Sequence, residues 1–291
     1  MIIQDILKLK QKTLKQILVK ELKRYGYQPI APKGYVYAAG KIPVLLTAHM
    51  DTVHYQPVKV ICSSPDNTVL MSPQGIGGDD RAGVYMILQL IKEKRCHVLF
   101  CEDEETGAYG AEAFATSNIK PKVNYIVGLD RRGRNDAVYY NCDNSDFTKF
   151  VSSFDFTTAT GSFSDISVIA PKLGIAAVNI SAGYFNEHTK HEYIDMTVVN
   201  INIKRIKSMV SARTPFYPYM AAKHNLDTWD YICKTYDKPI HSGTLYHYKY
   251  DNLYDDKPLI DDVACERAYY DGYTEGYTDG QAGKEPVVID I

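Results

Sequence analysis

The sequence contains no Cys-x-x-Cys pair; its six cysteines, Cys62, Cys96, Cys101, Cys142, Cys233 and Cys265, are scattered singly. That spacing excludes a thiolate zinc knuckle and gives no sign of a disulfide framework, so reduced and mostly buried thiols are expected. There is no surplus of charge of either sign, since 33 Lys and Arg stand against 35 Asp and Glu, a formal net charge of -2. Nucleic acid and anionic membrane both demand a concentrated basic surface, and neither is expected as a partner. No apolar run approaches bilayer length, and Lys8, Lys10 and Lys12 interrupt any signal-peptide core. A soluble cytoplasmic protein is expected. Tryptophan occurs once, as Trp229.

What is present fits one large α/β core with an extension, for 291 residues of which 45% are hydrophobic. From Met1 to Arg24, Ile3, Leu7, Leu14, Leu18 and Leu22 recur at helical spacing between lysines, and Gly26 marks the stop, which predicts one surface helix. Strand-like runs follow around Val36, Val44 to Ala48, Val58 to Cys62 and Thr68 to Met71. Asp79 to Lys92, acidic at its start and apolar in its body, reads as a buried helix. Beyond it come strands at 97–101, 124–129, 137–142 and 175–180, with helices at 110–116, 145–154, 165–173 and 198–213. Strands alternating with helices predict a three-layer α/β/α fold around a mixed, mostly parallel sheet.

Beyond Thr214 the composition shifts: half of the 24 tyrosines and the only tryptophan fall in 214–291. A catalytic domain over 1–213 and a Tyr-rich extension over 214–291 are expected. In the extension, Tyr269, Tyr273 and Tyr277 interleave with Gly272, Gly276 and Gly280 at a four-residue step. On a helix these would form adjoining aromatic and small-residue stripes, suited to docking, covering the pocket or homo-oligomerisation. Asp271, Glu275 and Asp279 do not fit an EF-hand loop.

The chemistry sits where apolar runs end. His49-Met50-Asp51 follows Val44 to Ala48, Glu102-Asp103-Glu104-Glu105 follows Val98 to Cys101, and Asp130 follows Tyr125 to Leu129. In an open α/β sheet, the crevice beyond the carboxyl ends of the strands is where ligands collect. Acids and an imidazole gathered there would repel one another and resist desolvation unless cations neutralised them. His49 and Asp51 share one side of an extended strand, so Asp51 can accept a hydrogen bond from a metal-binding imidazole. Gly77-Gly78-Asp79-Asp80 brings a carboxylate close to the backbone at a helix start. Glu104 and Glu105, being neighbours, point differently, so one can bind metal while the other accepts a proton. Taken singly, each residue also has an ordinary explanation, as core histidine, helix cap or turn.

The ordered set resembles the co-catalytic di-zinc exopeptidases, the superfamily of peptidase T, carboxypeptidase G and bacterial leucyl aminopeptidase, over Tyr35 to Arg213. The matching elements are His49-x-Asp51-Thr52-Val53, Gly78-Asp79-Asp80-Arg81-Ala82-Gly83, Asp103-Glu104-Glu105-Thr106-Gly107, Asp130, Gly161-Ser162-Phe163-Ser164-Asp165, and Asn186-x-His188-Thr189-x-x-Glu192-Tyr193-Ile194. The resemblance implies that Asp79 bridges two divalent metals, that His49 and Asp130 complete one site, and that Glu105 and His188 complete the other. It implies Glu104 as general base, Asp51 behind His49, and a cis peptide after Asp79. Zinc suits the N and O donors best, with manganese or cobalt as substitutes. His191 competes with His188, and the Asn-x-His and Glu-Tyr register favours His188.

Arg131, first of the cluster Arg131, Arg132 and Arg134, is a candidate for holding a substrate carboxylate, and His54, Ser164 and Asp165 are candidates for lining the pocket. Ser164 follows Asp130 by only 34 positions, too few for the lid domain of the peptidase T and carboxypeptidase G branches. The expected activity is hydrolysis of small peptides or peptide termini, as an aminopeptidase or small-peptide hydrolase. Deacylation of an N-acyl amino acid and a catalytically vestigial binding or scaffold protein are the alternatives.

Overall fold

The computed structural model describes residues 1–54 and 56–222. The Tyr269, Tyr273 and Tyr277 repeat, Trp229, Cys233 and Cys265 lie outside the described residues. The strands are β1 (Tyr35–Ala38), β2 (Ile42–His49), β3 (Cys62–Ser63), β4 (Val69–Met71), β5 (Cys96–Cys101), β6 (Tyr125–Arg131), β7 (Asp136–Val138), β8 (Thr157–Ala159), β9 (Ala177–Ser181), β10 (Tyr184–Phe185) and β11 (Tyr193–Asp195). The helices are α1 (Ile3–Leu7), α2 (Gln11–Arg24), α3 (Gly78–Leu90), α4 (Tyr109–Ala115), α5 (Ser145–Ser152), α6 (Asp165–Leu173) and α7 (Met196–Met209).

Seven strands make the main sheet in the order β1-β5-β2-β6-β9-β7-β8. The central four, β5, β2, β6 and β9, run parallel, while β1 and β7 pair antiparallel to their inner neighbours. Burial on both faces explains why these strands read as continuous apolar runs, such as Val44-Leu45-Leu46. One face is covered by α1, α2, α3, α5 and α7 and the other by α4 and α6, with separate apolar clusters beneath each layer. The expected three-layer fold and mixed, mostly parallel sheet are what the chain adopts. Between Asp130 and Ser164 the chain forms β7, α5 and β8, with no separate domain inserted.

The N-terminal helix expected as one piece is two. The break exposes the Ile6 and Leu9 carbonyls, and the Arg81 guanidinium donates to both at 3.0 Å. The strand expected at 137–142 ends at Val138, because Tyr140 takes a left-handed φ of 51°. A second sheet, β10-β11-β4-β3, was not foreseen: its strands are two or three residues long, and β11 pairs with β4 from more than a hundred positions away.

The described residues past Thr214 pack onto this body. Tyr217 is buried among Tyr125, Phe147 and Phe150, and its backbone bonds to Asn124 and Ala176. Pro218 bridges to Ile175 and Ala221 to Cys142. Among the described residues no helix is long and apolar enough to cross a membrane.

Candidate metal centre

Parallel strands deliver their carboxyl ends to one rim. His49 closes β2 in register with Cys101 at the end of β5, so the turn Glu102-Asp103-Glu104-Glu105 starts beside it, and Asp130 arrives on adjacent β6. Asp79 enters from the first turn of α3, and His188 from the loop joining β10 to β11. The Asp79-Asp80 peptide bond is cis. Gly83 lets α3 approach β6, for a Cβ there would lie 2.0 Å from the Leu129 carbonyl oxygen. Asp103, Asn186 and His188 all hold left-handed φ angles, of 60°, 56° and 64°, a strain that collects at functional sites.

The two oxygens of Asp79 face different imidazoles. Oδ1 lies 3.0 Å from His49 Nε2, and Oδ2 lies 3.1 Å from His188 Nε2. Asp130 Oδ1 is 3.4 Å from His49 Nε2, and Glu105 Oε2 is 3.1 Å from His188 Nε2. The five side chains expected to hold metal therefore converge around one carboxylate. His191, by contrast, is exposed.

Ligand-capable atoms of His49, Asp79 and Glu105 lie within 4.8 Å of one another, as do those of His49, Asp80 and Asp130. Asp80 is nonetheless committed to the backbone, accepting the His49 amide at 3.2 Å and the Gly83 amide at 2.9 Å. Asp51 lies behind His49, its Oδ1 3.2 Å from Nδ1, but without the alignment of a hydrogen bond. Its firmer role is toward the acidic turn, where it accepts the Glu104 amide at 3.1 Å and the Glu105 amide at 3.0 Å.

Helix α2 braces the same turn. Gln11 donates to Asp103 Oδ1 at 2.8 Å and accepts the Asp103 amide, and Lys15 reaches Glu102 Oε2 at 2.8 Å.

Electrostatics register more buried acid than the side chains balance. Burial, reinforced by the charges of Asp130, Asp165 and Glu105 against the pull of His49, pushes the Glu104 carboxyl up to about 9. Burial raises Asp165 to about 7, and raises Asp130 and Asp80 as well. For Asp79 the hydrogen bonds and charges of His188 and His49 outweigh burial and hold the carboxyl below the usual range. For His49 burial pulls the imidazole down, but Asp130, Asp51 and Asp79 outweigh it and the group is raised. The hydrogen bonds to Asp79 and Glu105 lift His188 to about 11.

Divalent cations would supply the missing positive charge. The donor set fits them: imidazole nitrogens and carboxylate oxygens of borderline hardness, with Glu105 Oε1 buried and free of any hydrogen bond.

The residues proposed to meet substrate are placed differently from the ligands. Ser164 donates to Asp130 Oδ2 at 2.9 Å, which makes it a brace for that carboxylate. Asp165 is 3% exposed, and neither of its oxygens finds a hydrogen bond. His54 Nε2 lies 3.1 Å from Glu192 Oε2, beneath the loop that leads to Asp79. Arg131 is held by Asp136 at 3.2 Å, and Arg132, through Glu187 at 2.7 Å, is the arginine tied to the residue before His188.

Three residues of the site carried no role in the sequence reading. Tyr184 donates to Asp130 Oδ1 at 3.2 Å, Asn179 binds both the amide and the carbonyl of Asp130, and Glu192 accepts the Gly77 and Asp79 amides. A lone Asn inside the apolar run of β9 was the signal for Asn179. Tyr184 offered none.

An α/β/α fold with imidazoles and carboxylates gathered at the carboxyl ends of parallel strands defines a metallopeptidase of the zinc-exopeptidase type. Solved structures share the fold. A tripeptidase from Staphylococcus aureus is 14% identical, with 72% of this chain and 95% of that one covered and a TM-score of 0.60. For the aminopeptidase PepT from Bacillus cereus the values are 14%, 72%, 96% and 0.58. For an aminopeptidase from the archaeon Desulfurococcus kamchatkensis they are 16%, 73%, 94% and 0.55. The sequence pattern of peptidase family M28 matches residues 35–264, and the chain belongs to that family of zinc-dependent peptidases. The match runs past the change in composition at Thr214. No curated protein sequence matches the chain.

Proposed function

We propose that the chain is a di-zinc exopeptidase that hydrolyses the amide bond next to a free terminus of a small peptide, as an aminopeptidase or small-peptide hydrolase. The observation that carries this reading is Asp79, with Oδ1 3.0 Å from one imidazole and Oδ2 3.1 Å from the other. His49 and Asp130 would hold one ion, His188 and Glu105 the second, and Asp79 both. The ions, when bound, supply Lewis acidity for a water and for the amide carbonyl.

Glu104 takes the proton from the water at its carboxylate and returns it to the departing amine. Asp51 fixes the Glu104 and Glu105 amides together, so base and ligand keep a constant offset. Ser164 and Tyr184 hold the Asp130 carboxylate in one orientation. Zinc is the fitting ion, with manganese and cobalt as substitutes. Residues 214–291 are proposed to cover the pocket or join copies of the chain.

The test is the zinc-loaded full chain against di- and tripeptides beginning with Leu, Ala or Gly, beside their N-acetylated forms and N-acyl amino acids. Cleavage of the free-amine peptides, lost on chelation and restored by zinc, is expected. Cleavage of N-acyl amino acids alone would make it a deacylase, and no cleavage with zinc bound would make the centre vestigial.

A further inference from the structure

Glu192 is 1% exposed, and both of its carboxylate oxygens are engaged. Oε1 accepts the Asp79 amide at 2.8 Å, and Oε2 accepts the Gly77 amide at 2.9 Å while standing 3.1 Å from His54 Nε2. A buried carboxylate is costly unless hydrogen-bonded throughout, and here the partners are two backbone amides and one imidazole. The fit leaves no slack: a Cβ on Gly78 would come 3.1 Å from Glu192 Oε1, 2.9 Å from Ile194 and 2.8 Å from Tyr184.

The placement of Glu192 along the chain gives this contact its meaning. His188 and Glu192 belong to one turn, closed by Thr189 Oγ1 donating to the Asn186 carbonyl and accepting the His191 amide. From that turn the His188 ring reaches the Asp79 carboxylate, and Glu192 reaches the Asp79 amide. One short segment thus grips one aspartate by side chain and backbone together. His54, five positions after His49, ties the end of β2 into the same carboxylate.

We propose that Glu192, steadied by His54, is the positioning residue of the metal centre: it fixes the backbone of Asp79 so that its two oxygens face His49 and His188, and it governs metal affinity without touching substrate. The inference rests on the di-zinc reading above, and its test is read first in metal binding.

Glu192→Gln keeps the shape and removes one of the acceptors, whereas Glu192→Ala removes both. In the full chain, Glu192→Gln is expected to weaken zinc binding about 10- to 100-fold by chelator competition, the range found for groups that orient metal ligands. Glu192→Ala is expected to lose more, and His54→Gln less. At saturating zinc kcat falls while KM stays near wild type, as expected for a group that does not contact substrate.

Should the variants fail to fold, hydrogen exchange in the wild-type metal-free protein decides: strongly protected amides at Gly77 and Asp79 support the proposal, and fast exchange at both overturns it. Folded Glu192→Gln and Glu192→Ala proteins that bind zinc with wild-type affinity also overturn it. A wild-type protein that binds zinc but cleaves no peptide, with Glu192→Gln still losing zinc, leaves the positioning role standing and removes only the hydrolase reading.

Discussion

Replacing Glu104 by glutamine should stop turnover while both cations stay bound. The substitution keeps side-chain volume and removes the capacity to accept and return a proton. Nothing that holds the metal ligands depends on that capacity: the turn is fixed by Asp51 through the Glu104 and Glu105 backbone amides, and Glu105 reaches His188 with its own carboxylate. A positioned general base contributes about 10²–10⁴-fold, equivalent to roughly 3–5 kcal/mol of barrier at about 1.36 kcal/mol per decade.

The upper part of that range is expected here, because Glu104 is buried among like charges that raise its proton affinity, with a pKa near 9 before any cation is present. Cations bring it down toward the operating pH, where a base is most effective. The assay is kcat on a Leu-terminated dipeptide together with zinc content by mass spectrometry. A Glu104→Gln protein with wild-type kcat would refute the role, and one that had lost its zinc would show Glu104 to be a ligand instead.

In the metal-free protein His188, raised to about 11, carries a proton at neutral pH, so zinc must displace it. Zinc loading at pH 7 should therefore release protons into an indicator, and affinity should climb as pH rises toward the His188 value; a pH-independent affinity would contradict this. Gly83→Ala places a Cβ 2.0 Å from the Leu129 carbonyl oxygen and 2.4 Å from Asp80 Oδ1, so a loss of about 1–3 kcal/mol in stability with weakened zinc binding is expected from thermal unfolding and metal titration. Phe147→Ala empties the cluster shared with Tyr125, Tyr139 and Tyr217 and should cost about 3–5 kcal/mol in denaturant unfolding, with zinc affinity unchanged.

The centre was legible because parallel strands end in polar residues: His49, the Glu102 to Glu105 run and Asp130 each close an apolar stretch, and adjacency of β2, β5 and β6 turns those endings into one rim. His188 was placed by the family resemblance, its Asn-x-His and Glu-Tyr register preferring it to His191. The supports were harder to read. Tyr184 lies in a small antiparallel sheet and Glu192 just before one of its strands; these strands, two or three residues long, are too short for alternation to show, and β11 pairs with β4 across a long sequence separation. Ser164 entered the reading through the Gly161 to Asp165 motif, and its hydrogen bond to Asp130, 34 positions back, could not be inferred from spacing. The split of the first helix depended on Arg81, which lies 75 positions away from the Ile6 carbonyl it captures.

The most direct measurement is the anomalous scattering of zinc-loaded crystals across the zinc edge. Two peaks are expected, one on either side of the Asp79 carboxylate, the first beside His49 and Asp130 and the second beside His188 and Glu105. A single peak, or peaks remote from Asp79, would contradict the shared-carboxylate centre.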